Sequence, residues 1–167
     1  MAAINMELNI KEVFSVPKGL HDSTITIPID FVWSFVSNMN NWAPLVPGYM
    51  EHEIINDRES TWKFKGDIGI VQKTVHLKIE IIKWEEPTKV TFQLTGLSEN
   101  FKGNGYFLAK ELSGRETEIT GCLDITAKGM MAPVVNPILK SFIPKTTKEF
   151  TESVVDKMAN DMRILVT

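Results

Sequence analysis

In KTVHLKIEIIKW, residues 73–84, Val75, Leu77, Ile79 and Ile81 take alternate positions, with His76, Lys78 and Glu80 between them. Successive side chains of an extended chain point to opposite faces, so this segment reads as a strand with one apolar and one polar face. Such alternation marks an antiparallel sheet that packs on one side and meets water on the other. His76 then belongs to the wet face with Thr74, Lys78 and Glu80.

The same pattern extends in both directions. EHEIIN (51–56), STWKFKGDI (60–68), KVTFQLTGL (89–97), GNGYFLAKEL (103–112) and TEITGCLDITAKG (117–129) are further strand candidates. Asn56-Asp57, Gly66 through Gly69, Glu86-Pro87, Asn100 and Ser113-Gly114 separate them, and all are turn or breaker signals. Connections this short predict consecutive antiparallel pairing. Upstream, LNIKEVFSV (8–16) predicts an additional strand, Pro17-Lys18-Gly19 a turn, and STITIPI (23–29) a short strand. Asp30 is the expected cap of a short buried helix over FVWSFVSNM (31–39), ended by Asn38, Asn40 and Asn41.

From Pro133 the period changes. Leu139, Phe142, Ile143, Phe150, Val154, Met158, Met162 and Leu165 recur at three- and four-residue steps, one face of a long helix over 133–165. Pro144 should kink it or join two helices. A sheet with one apolar face needs a cover, and this is the only long amphipathic element. The predicted class is α+β, with a curved antiparallel sheet of seven or eight strands wrapped around the C-terminal helix. No repeat or linker divides residues 1–167, so a single domain is expected, with 1–19 as an N-terminal extension or extra strand.

The bulk properties restrict function. The 43% apolar and 23% charged content is ordinary for a globular chain. A net charge of -3 gives nucleic-acid binding little electrostatic support. Cys122 is the only cysteine, which excludes an internal disulfide and fits a reducing cytoplasm. The N-terminus lacks the form of a signal peptide, and no apolar run reaches the ~18–20 residues needed to cross a bilayer.

Few residues suggest chemistry. His21, His52 and His76 have no second His or Cys at ligand spacing, so no metal site is expected. There is no Gly-X-Ser-X-Gly elbow and no P-loop, and Gly103-Asn104-Gly105 reads as a bend or bulge in a strand. Cys122 has no base nearby in sequence. Glu51 and Glu53 share a strand face but read as solvated. Asp124 alternates with Leu123 and Ile125, away from the core. No catalytic residue is assigned and no cofactor is expected.

What the parities do offer is a lining. Trp62, Phe64, Val75, Leu77, Ile79, Val90, Phe92, Leu94, Phe107, Leu123 and Ile125 should face the helix. NNWAPLVPGY (40–49) reads as a single helical turn, Ala43-Pro44-Leu45 capped by Asn41, followed by the turn Pro47-Gly48. Leu45 and Val46 should pack toward the long helix, with Trp42 plugging the mouth or lying on its rim. The candidate ligand cavity is therefore Trp42, Leu45, Trp62, Phe64, Leu77, Ile79, Phe92, Leu94, Phe107, Leu123, Phe142, Phe150 and Val154. His52 and Tyr106 are its candidate polar members.

The order of these landmarks resembles the START/Bet v 1-like (polyketide cyclase-like, SRPBCC) superfamily. Within it the chain is most similar to the carbon monoxide dehydrogenase G-like family. FVWSFVSNMNNWAPLVPGY, WKFKGDIGIVQKT, the Gly103/Gly105 pair, Thr117 through Gly129 and the helix after it carry the resemblance, over about residues 20–165. It implies a helix-grip fold with two short helices closing one end, and a tunnel for a lipid-like, quinone-like or polycyclic ligand. The chain ends soon after the helix, without the long membrane-associating tail of some members of that family, leaving transient membrane contact as the expectation. Binding of a hydrophobic small molecule leads. A cyclase or dehydratase using His52, Glu53 or Tyr106 is the alternative, and an assembly or interaction module the third reading.

Overall fold

A computed structural model describes residues 18–68 and 71–166. The expected strand over 8–16 and the start of the extension lie outside the described residues. In chain order the elements are β1 (Lys18–Ile25), α1 (Ile29–Val36), α2 (Met39–Trp42), a 3-10 turn (Ala43–Leu45), β2 (Tyr49–Ile54), β3 (Glu59–Ile68), β4 (Val71–Glu85), β5 (Lys89–Gly96), β6 (Phe101–Glu111), β7 (Thr117–Ala127) and α3 (Ala132–Val166).

The described strands form one antiparallel sheet in the order β1-β7-β6-β5-β4-β3-β2. Strands β2 to β7 are the consecutive meander that the short turns require, and β1 closes onto β7. The curved sheet grips α3, with α1 and α2 after the first strand: a helix-grip fold. Ile27, Val32, Ile81, Ile119 and Met158 are essentially inaccessible at the centre of the core.

Several local expectations are corrected. Lys18 and Gly19 are paired strand residues opposite Asp124 and Leu123, not part of a turn. Strand β1 ends at Ile25, and Ile29 already opens α1, whose N-cap is Pro28. Asp30 lies in the first turn, where its charge complements the unpaired N–H groups instead of capping them. Trp42, not Asn41, stands at the cap of the Ala43–Leu45 turn, and Asn38 caps α2, its side chain accepting from the Asn40 N–H at 3.0 Å. The Asn41 amide donates instead to the Phe35 carbonyl at 2.9 Å. Gly48 turns the chain as expected, with a φ of 80° that L side chains avoid.

The Gly103–Gly105 stretch is not a bulge, because its register to β5 and β7 is unbroken. A Cβ on Gly105 would meet the Phe92 ring, so the glycine clears space for an inward aromatic. The irregularity falls instead between Ile81 and Lys83. It leaves Ile82 exposed and turns Trp84 inward, edge-on to Trp33 at 6.2 Å. Helix α3 is assigned as one uninterrupted helix of 35 residues through Pro137 and Pro144, so the prolines do not divide it into two helices.

Candidate functional site

Helix α3 packs unevenly across the sheet. It lies mainly on β1 and β7, where two glycines let it approach the backbone. Any Cβ on Gly19 would collide with Thr147, and one on Gly121 with Thr151. On the other side, large side chains of β3, β4, β5 and β6 keep sheet and helix apart. One flank of the helix is therefore in contact with backbone, and the other borders a hollow of ≈ 110 Å³.

The hollow is walled by Trp62 and Phe64 of β3, Leu77 and Ile79 of β4, Val90, Phe92 and Leu94 of β5, and Phe107 of β6. Leu123 and Ile125 of β7 complete the sheet side, and Phe142, Ile143, Phe150 and Val154 line it from α3. Strand alternation explains the selection, since each of these sheet residues has the inward parity of its strand. Among the described residues, none in the lining is Asp, Glu, His, Lys or Arg. The helix adds three threonines, Thr146, Thr147 and Thr151, and the Thr147 hydroxyl already donates to the Ile143 carbonyl at 2.7 Å.

Trp42 closes one end as a buried wall, not as a rim residue. Only 7% of it is exposed. Its ring stands edge-on to Trp62 at 5.2 Å, and its indole N–H donates to the Val36 carbonyl at 2.9 Å. Trp62 is held in turn by donation from its N–H to Ser60 Oγ at 2.8 Å. Both indoles thus satisfy their polar edge locally and present carbon to the hollow. Val46 and Pro47 also reach the lining, whereas Leu45 packs on the core behind it.

The two expected polar members do not serve the interior. His52 is outside the lining, fixed between Asn40 and Tyr49. Asn40 Oδ1 can only accept, so His52 Nε2–H donates to it at 2.7 Å, and Nδ1 accepts from the Tyr49 hydroxyl at 2.7 Å. Neither ring nitrogen is left over. Tyr106 borders the hollow through its strand, but it pairs with Thr91 and Cys122 on the outer-facing parity. The Lys89 ammonium lies 4.6 Å from its ring centre on that outer face. Burial pushes the Tyr106 hydroxyl up, with Cys122 and Asp22 adding to it, so the phenol stays protonated.

Other candidates resolve similarly. Glu51 pairs with Lys63 at 3.2 Å on the exterior, and Glu53 is exposed beside it. Burial raises the Asp124 carboxyl above its usual range, partly offset by Lys18 across the strand pair. His21 donates through Nε2 to Glu152 at 2.5 Å, tying β1 to α3. Among the described residues no group of three or more His, Cys, Asp or Glu side chains is placed to hold a metal.

Sequence reasoning missed the threonines and Asn136. The Asn136 amide donates to the Ala127 carbonyl at 3.2 Å and accepts from the Ala127 N–H at 2.8 Å, anchoring the start of α3 to the end of β7. A signal for the threonines was present: Thr147 and Thr151 are four apart, the spacing of one helix face, with small residues available opposite.

No curated protein matches the chain in sequence. Among solved structures, a conserved protein from Geobacillus kaustophilus superposes with a TM-score of 0.73 at 14% identity, covering 86% of this chain and 95% of that one. The ZhuI aromatase/cyclase from Streptomyces sp. R1128 gives 0.69 at 13% identity, covering 87% and 95%. A START superfamily protein from Mycobacterium smegmatis gives 0.69 at 16% identity, covering 86% and 97%. A family model matches residues 20–160. The neighbours are START/Bet v 1/polyketide cyclase-like (SRPBCC) proteins, and the chain shares their helix-grip fold.

Proposed function

We propose that this protein binds and carries an apolar small molecule in the hollow between α3 and the sheet. The carrying observation is the lining itself, which is mainly aromatic and aliphatic and, among the described residues, holds no titratable acid or base beyond the Tyr106 hydroxyl and the Cys122 thiol on the outward parity of β6 and β7. A small-molecule site of this kind gains affinity from buried apolar area and orientation from a few polar groups, here the α3 threonines. Proton transfer needs an acid or base in reach of the substrate. His52 and Tyr106 are committed elsewhere, which favours binding over the cyclase or dehydratase reading.

Size narrows the ligand. At ≈ 110 Å³ the hollow is near the ~150 Å³ of a cavity that accepts benzene and below the ~300–1,000 Å³ of drug-sized sites. One ring or a short alkyl segment fits the resting walls. A quinone, lipid or polycycle enters by rotation of Phe64, Phe92, Phe107, Phe142 or Phe150, or leaves its larger part at the mouth. The Leu45–Gly48 turn and the order of elements support a place near the carbon monoxide dehydrogenase G-like family. The lone Cys122 fits a cytoplasmic setting, and the continuous core fits one domain.

Thermal melts with toluene, indole and short-chain alcohols test the binding role, alongside native mass spectrometry of freshly purified protein. A ligand at 100 times its Kd adds about 2.7 kcal/mol to stability. Leu123→Phe, which fills the hollow, should abolish that shift. If no apolar compound raises the melting temperature and the protein flies bare, the reading is wrong.

A further inference from the structure

The earlier half of α3 and the turn before it present a different chemistry outward. Met130 is 98% exposed, Met131 61%, Val134 58% and Ile138 40%. Positions 134, 138, 141, 145 and 148 recur at three- and four-residue steps, so they share one side of the helix. Val134, Ile138, Ser141, Lys145 and Lys148 are all exposed along it. Leu97, also 50% exposed, lies in the β5–β6 connection beside this tip, where the Lys128 N–H donates to the Asn100 carbonyl at 2.8 Å.

The charge is as uneven as the hydropathy. Residues 128–148 carry Lys128, Lys140, Lys145 and Lys148 and no Asp or Glu, whereas the whole chain has 18 Lys and Arg against 21 Asp and Glu. An acidic protein thus carries a carboxylate-free stretch, ended by Glu149 at 4.0 Å from the exposed Lys145, behind an exposed apolar tip. That pairing suits a surface whose outer layer is anionic and whose interior is hydrocarbon. Unbranched methionine adapts to a fluid phase, and lysine meets mobile phosphates as a point charge.

We propose that this face docks on an anionic lipid bilayer. Met130, Met131 and Val134 enter the boundary between headgroups and acyl chains, and Lys145 and Lys148 meet the lipid phosphates. Behind the docked face, Val135, Leu139 and Phe142 pack on Leu123 and Ile125, and the last three of these line the hollow. The hollow then lies one layer of side chains from the membrane, a short path for an apolar ligand. Docking goes beyond the binding role and depends on the patch alone, so either can fail while the other holds.

Co-sedimentation with vesicles of phosphatidylcholine and phosphatidylglycerol, against phosphatidylcholine alone, tests the docking. The protein should pellet with the anionic vesicles only, and raised salt should release it. Lys145→Gln with Lys148→Gln should weaken binding about fivefold per lysine. Met130→Asp with Met131→Asp should weaken it roughly tenfold or more. Both pairs are exposed, so thermal melts should match the parent and exclude unfolding. Equal partition to neutral and anionic vesicles, or unchanged binding in both variants, overturns the proposal. So does a dimer on size exclusion that Met130→Asp with Met131→Asp converts to monomer while the parent ignores vesicles, since the patch would then hold a second copy.

Discussion

The two halves of α3 rest on one sheet and are built by different rules. From Glu149 onward the helix buries Thr151, Val154, Val155 and Met158, and Lys157 pairs with Asp161 one turn away at 2.9 Å. From Ala132 to Lys148 it contains Pro133 in its first turn and Pro137 and Pro144 in its interior, buries Leu139, Ile143 and Thr147, and leaves Val134 and Ile138 in water. Each interior proline withholds one backbone N–H from the helix. Both halves border the hollow, the later through Phe150, Thr151 and Val154 and the earlier through Phe142, Ile143, Thr146 and Thr147, but only the later one continues into close-packed core at Val155 and Met158. Stability should therefore concentrate in the later half, and adaptability in the earlier one.

The largest test of that division compares cavities made in the two halves. Met158→Ala should cost ~2–5 kcal/mol in urea denaturation, because its surroundings are close-packed and cannot follow the lost atoms. Phe142→Ala should cost less than half as much, since its ring already borders empty space. Equal losses would show that the two halves are one uniform core.

The seam between helix and sheet comes next. Gly121→Ala places a methyl on Thr151 and should cost ~1–3 kcal/mol by overpacking. Thr151→Ala in the same chain should recover part of the loss, and a double-mutant cycle measures the coupling. Additive effects would mean that the close approach is not what positions α3.

A smaller effect is expected where the earlier half is anchored. Asn136→Ala removes both hydrogen bonds to Ala127 and should cost ~1–2 kcal/mol. Hydrogen exchange should quicken over 132–142 and stay unchanged over 154–158. Faster exchange in both segments would erase the contrast.

The smallest effect lies on the sheet behind the hollow. Burial raises the Asp124 carboxyl in the folded chain, against a smaller opposing effect of Lys18. Between the unfolded and the raised folded value the folded state holds the extra proton, so this group's contribution is full at low pH and lost as pH rises through the folded value. Asp124→Asn should flatten that decline and slightly raise stability at neutral pH. An unchanged pH profile would show Lys18 to balance the burial.

Much of this architecture was legible because strand alternation and helix period are local properties. Val75, Leu77, Ile79 and Ile81 announce their face whatever the rest of the chain does. The apolar lining was likewise readable, since Trp62, Phe64, Phe92, Leu94 and Phe107 inherit it from parity. Where reasoning failed, the missing information was a partner distant in sequence. Gly19 resembled a turn residue until Thr147 lay against it, and Gly105 a bulge until the Phe92 ring filled its place. His52 keeps an inward parity, opposite Trp62, but its hydrogen bonds to Asn40 and Tyr49 hold it outside the hollow. Trp84 changed face through a one-residue irregularity at Ile82.

By itself, then, the chain determined which residues are strand, which helix, and which side of each is apolar, because these follow from backbone geometry and water. Only the tertiary structure decided that a hollow exists. Its presence depends on a difference in depth, glycine against threonine on one flank of α3 and aromatic against aromatic on the other. That difference is set by side-chain volumes that meet between residues as far apart in the chain as Gly19 and Thr147, where no local period reaches.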